Sequence, residues 1–331
     1  MEETQAPAPA AGPRINATDF LAAQRSNRRN TVILVVVMLA LGAGVGYGVG
    51  WIAIAYAGGL NVQGSDGNAA GLIGSAVLVA IGGVTWLATM FAGDRIVLAA
   101  NGAREVTVDA EPMLHNVVEE MAIAAGLPKP RVAIIESPAM NAFAAGMRTD
   151  KAVIGVTRGL LQSLNRDELQ GVIAHEMSHV LNLDMRYMTA VGVMAGLIAL
   201  VGDVLARGAL NTRPSRDRDR RGGNIVVIVI VLVLAILAPL AARLVQFAVS
   251  RQREFLADAN SVQLTRNPLG LIGALEKLGG QAPVAELGNR ATQHLFIVNP
   301  LRDFGPKVSA LVATHPPIAA RIERLRNLGR V

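Results

Sequence analysis

The run His175-Glu176-Met177-Ser178-His179 carries the clearest chemistry in this chain of 331 residues. Two imidazoles four positions apart on a helix point the same way and can meet one zinc ion at about 2 Å. The glutamate after the first histidine can reach a water beside such an ion and take its proton, as metal-assisted hydrolysis requires. Three residue types can coincide by chance, but chance matches tend to fall in loops. Here Asn165-Arg166-Asp167-Glu168 reads as a capping box, and Leu169, Val172, Ile173, Val180 and Leu181 give the following helix an apolar face. The five residues sit in the middle of that helix.

A catalytic zinc takes a third protein ligand and keeps a fourth position open, whereas a structural zinc usually has four protein ligands. Glu254 is the candidate, with Asp258 four residues on along the same helical face. A carboxylate there can accept the second ring N–H of a zinc-bound histidine and fix its tautomer. Taken alone, this run favours surface pairs of Glu254 and Asp258 with Arg251 and Arg253. Spacing changes the balance. Glu254 lies 75 residues beyond His179, but the segment between them is almost wholly a second apolar hairpin. With 188–249 looped into or onto a membrane the two helices become neighbours, and an even number of crossings returns Glu254 to the side of His175.

His315 stands just before Pro316-Pro317, a rigid helix entry from which a ring could donate to a carbonyl oxygen gaining negative charge. By itself it reads as a structural histidine, and Asn141 by itself reads as a turn residue. His115 and His294 read as ordinary polar positions.

The elements that must position these groups alternate between apolar and soluble character. Residues 1–30 read as a disordered tail ending in Arg25, Arg28 and Arg29. They do not read as a cleavable signal, because the apolar run starts only at Thr31 and is too long. Thr31–Tyr56 is 26 residues without a charge and Gly71–Phe91 is 21, each enough to span a bilayer. Gly42, Gly46 and Gly50 recur at the spacing that lets helices approach closely. Together, 31–91 predicts a transmembrane hairpin. A catalytic lobe follows at 92–187, with a helix from Pro112 to Gly126, strands at 131–136 and 152–156, and a short edge strand at 141–146. A second hydrophobic hairpin at 188–249 holds Asp203, Pro239 and a loop with Arg207, Arg213, Arg216, Arg218, Arg220 and Arg221. The second catalytic lobe is 250–331, ending in a helix from Pro316-Pro317 to about Leu328.

The motifs together resemble one family. HEMSH, Ser250–Asp258 (SRQREFLAD) and Thr314–Pro317 (THPP), with AIAAGLPKPRVAIIES, PAMNAFAAG and HLFIVNP, are similar to the HtpX-like membrane metalloproteases over about residues 70–330. These are relatives of the CaaX prenyl proteases among the gluzincin zincins. The resemblance implies an α+β, mainly helical, gluzincin-like catalytic domain holding one Zn2+ through His175, His179 and Glu254, with Glu176 as general base. It further implies Asn141 on a substrate-binding edge strand, His315 facing the scissile carbonyl, and misfolded or damaged membrane proteins as substrates. The tail and the arginine-rich loop depart from the pattern without touching the metal motifs.

Composition agrees with a membrane setting. Apolar residues make up 52% and charged residues 17%, below the quarter usual in soluble domains. The net charge of +6 comes without a basic stripe carrying interleaved aromatics, so no nucleic-acid partner is expected. The chain has no cysteine, which excludes disulfides and thiolate metal sites. Arg14, Arg25, Arg28 and Arg29 precede the first span and the link at 57–70 has no basic residue, which predicts a cytoplasmic catalytic part in the cell (inner) membrane. The arginines at 207–221 oppose this unless the second hairpin is shallow.

Overall fold

A computed structural model describes residues 17–57, 64–194, 196, 251–281, 292, 295–298 and 316–328. Two long apolar helices come first, α1 (Ala17–Ala57) and α2 (Gly64–Ala100). They pack side by side through small residues. A Cβ placed on Gly46 would collide with the carbonyl of Gly74, and one on Gly74 with the carbonyl of Gly46. Glycine is needed there because the two backbones touch. Val32, Leu72 and Phe91 point outward with over half of their surface exposed, as side chains facing lipid do.

Two expectations are corrected here. Residues 17–30 are helical rather than a disordered tail, because α1 extends below its apolar span and Gln24 and Asn27 find hydrogen-bond partners near the end of a later helix. The boundary placed after residue 91 falls inside α2. The chain kinks at Ala92 (φ −136°, ψ 17°) and then continues as helix. Below the kink Asp94 pairs with Arg131, and Val97 and Leu98 are buried against the sheet, so tertiary contacts hold the last turns in place.

The sheet has four strands in the order β1-β2-β4-β3, formed by β1 (Ala103–Glu105), β2 (Arg131–Ile135), β3 (Ala142–Ala145) and β4 (Val153–Thr157). Only β2 and β4 are parallel. Strand β1 was not foreseen, while β3 occupies the edge position expected of it. Helix α3 (Pro112–Ala125) opens on a proline and stops at Gly126, whose φ of +64° suits glycine. The short helix α4 (Arg158–Ser163) leads to α5 (Arg166–Leu181), whose capping box between Asn165 and Glu168 is formed as read. The chain is helical again over 184–194, so the boundary placed at 187/188 falls within that helix. Most of the second apolar region, with its arginine-rich loop, lies outside the described residues.

Three further helices follow among the described residues, α6 (Arg251–Thr265), α7 (Pro268–Gly280) and α8 (Ile318–Leu328). One core joins α3, α5, α7 and α8 to one sheet face through Leu114, Ile154, Ile173, Leu271 and Leu325. A second core covers the other face with Val97, Phe143, Met188 and Phe296. Gly171 of α5 and Gly270 of α7 sit where a side chain would strike the opposing backbone, so the metal-motif helix lies directly against α7.

Candidate metal centre

Helix α5 is buried along almost its whole length, not on one face alone. His175 and His179 project from it with ring centroids 4.9 Å apart and planes at 88°. Helix α6 buries Glu254, Ala257, Asp258 and Ser261, a stripe at i, i+3, i+4 and i+7 that faces α5. Two polar bonds hold that stripe in register. Asn260 Nδ2 donates to Ser178 Oγ at 2.7 Å, and Ser261 Oγ donates to the Gly171 carbonyl at 2.9 Å.

In this arrangement Glu254 Oε2 lies 3.8 Å from His175 Nε2, and Glu254 Oε1 lies 3.6 Å from His179 Nε2. One ligand atom from each of the three residues lies within 4.8 Å of the others. The donor set fits a divalent cation of zinc type. Both Nδ1 atoms face carboxylates, Asp258 at 3.0 Å from His175 and Asp184 at 3.1 Å from His179. Each ring then donates through Nδ1 and turns its Nε2 lone pair inward, as a metal ligand must.

Electrostatics distinguishes the two rings in the metal-free protein. Burial, then the Arg321 charge, pulls His175 down to about 4. Burial acts the same way on His179, but the Asp184 hydrogen bond and the charges of Glu254, Asp184 and Glu176 outweigh it and lift that ring to about 9. Glu176 is 1% exposed and burial pushes it up to about 7, in the range suited to taking and returning a proton. The backbone amide of Ala144 on β3 donates toward it, so the edge strand borders the site.

Two residues at this site were not singled out in the sequence. Arg321 of α8 donates to both oxygens of Asp258, at 2.6 and 2.9 Å, and its Nη2 lies 3.3 Å from His175 Nδ1. The 3.0 Å contact of His175 with Asp258 is the shorter one, and Asp258 can accept from both neighbours. Arg321 therefore acts on His175 directly through its charge and also by holding Asp258. It was legible as an arginine on the apolar face formed by Ile318, Ile322 and Leu325. Asp184 lies beyond the end of α5, where Leu183 adopts a φ of +58°. That left-handed turn costs a leucine about 1–3 kcal/mol and brings Asp184 beneath His179.

Asn141, expected on a substrate-binding edge strand, is placed beside that edge and buried. It precedes edge strand β3, but its side chain is bound within the protein: Nδ2 donates to the Val298 carbonyl at 2.7 Å and Oδ1 accepts from Val298 N–H at 3.3 Å. Ile297 N–H also donates to the Ala142 carbonyl, and Phe296 bridges Phe143 in antiparallel sense. The edge carries a segment of the same chain because its main-chain groups fit there as a further strand would. His115 is a buried structural histidine bonded to the Val106 carbonyl. His294 and His315 lie outside the described residues.

Two histidines and a glutamate converging from separate helices, with a buried glutamate beside them, define a metallopeptidase centre of the HExxH type. The chain belongs to peptidase family M48, whose family model matches residues 109–329. It is 43% identical over 308 residues to the "Protease HtpX homolog" of Streptococcus pneumoniae serotype 19F (strain G54), covering 92% of this chain and 98% of that protein. The same figures hold for the homolog of that name from S. pneumoniae serotype 4 (strain ATCC BAA-334 / TIGR4). Among solved structures, the crystal structure of S. mikatae Ste24p is similar with a TM-score of 0.45 and 20% identity. That match covers 76% of this chain and spans 57% of Ste24p. The chain is an HtpX-like metalloprotease acting on polypeptides, and that kinship together with two helices long and apolar enough to cross a membrane marks it as a membrane protein.

Proposed function

We propose that this protein is a zinc-dependent endopeptidase of gluzincin type, cutting polypeptides at the inner face of the cell membrane. The observation that carries the reading is the convergence of His175, His179 and Glu254 on one buried point beside Glu176. His175, His179 and Glu254 would hold the zinc, which would supply Lewis acidity toward the scissile carbonyl and lower the pKa of a water there. Glu176 takes the proton from the attacking water and passes it to the leaving amide nitrogen. Asp258 and Asp184 keep the two imidazoles in the tautomer that presents Nε2. His315 is proposed to donate to the carbonyl oxygen in the transition state. An extended substrate is proposed to pair with β3 and Asn141, which requires residues 296–298 to leave that edge.

The remaining proposals concern setting. Helices α1 and α2 act as a transmembrane hairpin over 31–91, residues 188–249 form a second one, and lobes 92–187 and 250–331 share the site. The proposed substrates are misfolded or damaged membrane proteins, since a tethered active site works on what lies at the bilayer surface. The test is metal analysis with a cleavage assay on purified protein. Wild type is expected to hold one zinc per chain and Glu254→Ala to lose it. Glu176→Gln is expected to keep the zinc while hydrolysis falls about 10²–10⁴-fold. Full activity in Glu176→Gln rules out this mechanism.

A further inference from the structure

The described hydrogen bonds carry one connection from the metal centre into the first apolar helix. Asn27 lies on α1 just ahead of its uncharged span and is 2% exposed. Its Nδ2 donates to Asp184 Oδ1 at 2.7 Å and to the Asn182 carbonyl at 3.0 Å. One turn earlier, Gln24 Nε2 donates to the Leu181 carbonyl at 2.7 Å. The last carbonyls of a helix have no partner within it, and here α1 supplies donors to those ending the metal-motif helix α5. Thr31 Oγ1 bonds back to the Asn27 carbonyl and ties this turn into α1.

Asp184 divides its two oxygens. Oδ2 faces His179 Nδ1 at 3.1 Å, and Oδ1 takes the Asn27 amide. A cation, Arg253, also lies near Oδ1, its Nε paired by charge at 3.8 Å but beyond hydrogen-bond range. Among the described residues the Asn27 amide is the group that donates a hydrogen bond to Oδ1 and so fixes its direction.

We infer that Asn27 is a positioning residue of the metal centre, which acts through Asp184 to hold His179 and makes the first membrane helix part of the active-site wall. The inference rests on the metal reading proposed above. Groups that orient a ligand typically change metal affinity about 10- to 100-fold when removed. Asn27 stands one residue further out, so the lower end of that range applies.

The test is a double-mutant cycle on the full chain in detergent, with zinc affinity measured by competition with a chromogenic chelator. Asn27→Leu keeps the branching and heavy-atom count and removes the donor, and is expected to weaken zinc about 10-fold. Asp184→Asn is expected to weaken it by at least as much. In the Asp184→Asn background, adding Asn27→Leu is expected to change affinity less than 2-fold, because the route through Asp184 is already lost. The visible spectrum of the cobalt-loaded protein reports ligand geometry, and it should shift in Asn27→Leu. If Asn27→Leu does not fold, Asn27→Ser, which keeps a hydroxyl donor with shorter reach, is put through the same cycle. Unchanged zinc affinity, or full additivity with Asp184→Asn, overturns the inference. A wild-type protein that takes up no zinc sinks the metal reading itself, which is a different result.

Discussion

His179 and His175 share one ion-binding point but differ in what a metal must displace from them. In the metal-free protein His179 keeps its proton up to about 9, held by Asp184 and the nearby carboxylates, while His175 is already neutral above about 4. A metal binds only the neutral imidazole, so binding near neutral pH expels a proton from His179. Zinc affinity should rise roughly tenfold per pH unit from neutral pH up to about 9, then level off. Chelator competition across that range checks it, and a flat profile contradicts the assigned pairing of His179. Arg321 and Asp258 sit in the same balance. Each is buried, and removing one partner of a buried ion pair typically costs about 3–5 kcal/mol. Arg321 holds Asp258 as the acceptor that His175 Nδ1 meets at 3.0 Å.

At the scale of elements, the edge of the sheet is where structure and proposed mechanism compete. Strand β3 borders Glu176 through the Ala144 amide, the place an extended substrate would lie. Residues 296–298 hold that edge through the Asn141–Val298 pair and the Ile297 N–H bond to the Ala142 carbonyl. Val298→Pro deletes a single donor, the 3.3 Å bond to Asn141 Oδ1, and leaves Asn141 intact. A net hydrogen bond is worth about 0.5–1.5 kcal/mol, so we expect KM for an unfolded substrate to fall about 2- to 10-fold. A KM that rises, with thermal stability unchanged, argues that substrate approaches elsewhere. The helices leave less latitude. The α5 capping box, the α3 start at Pro112 and its stop at Gly126 formed as read, because each is local chemistry between residues a few positions apart.

For the molecule as a whole, the two apolar helices and the catalytic part form one packed unit, joined by Asp94 to Arg131 and by Leu34 with Tyr187 and Val191. The proposed orientation can be read cleanly because the chain has no cysteine. Ile123 on α3 is 74% exposed. In Ile123→Cys, a membrane-impermeant maleimide should react only after the cells are broken open. Labelling in intact cells would place the catalytic part outside and reverse the orientation inferred from Arg14, Arg25, Arg28 and Arg29.

From the residues alone came the His175, Glu176 and His179 motif, the capped helix that carries it and the two apolar spans, since periodicity, caps and ligand spacing act over a few turns of chain. Tertiary structure alone decided that Glu254 does reach the two histidines, that Arg321 and Asp184 hold their carboxylate and ring partners, and that the β3 edge is covered. It also made residues 17–30 helix and placed Asn27 beneath the site. The physical reason is common to all of these. A buried polar group is stabilised by whichever partner the fold brings within about 3 Å, and partners such as Asn27 and Asp184, separated by 157 positions, leave no pattern in one sequence.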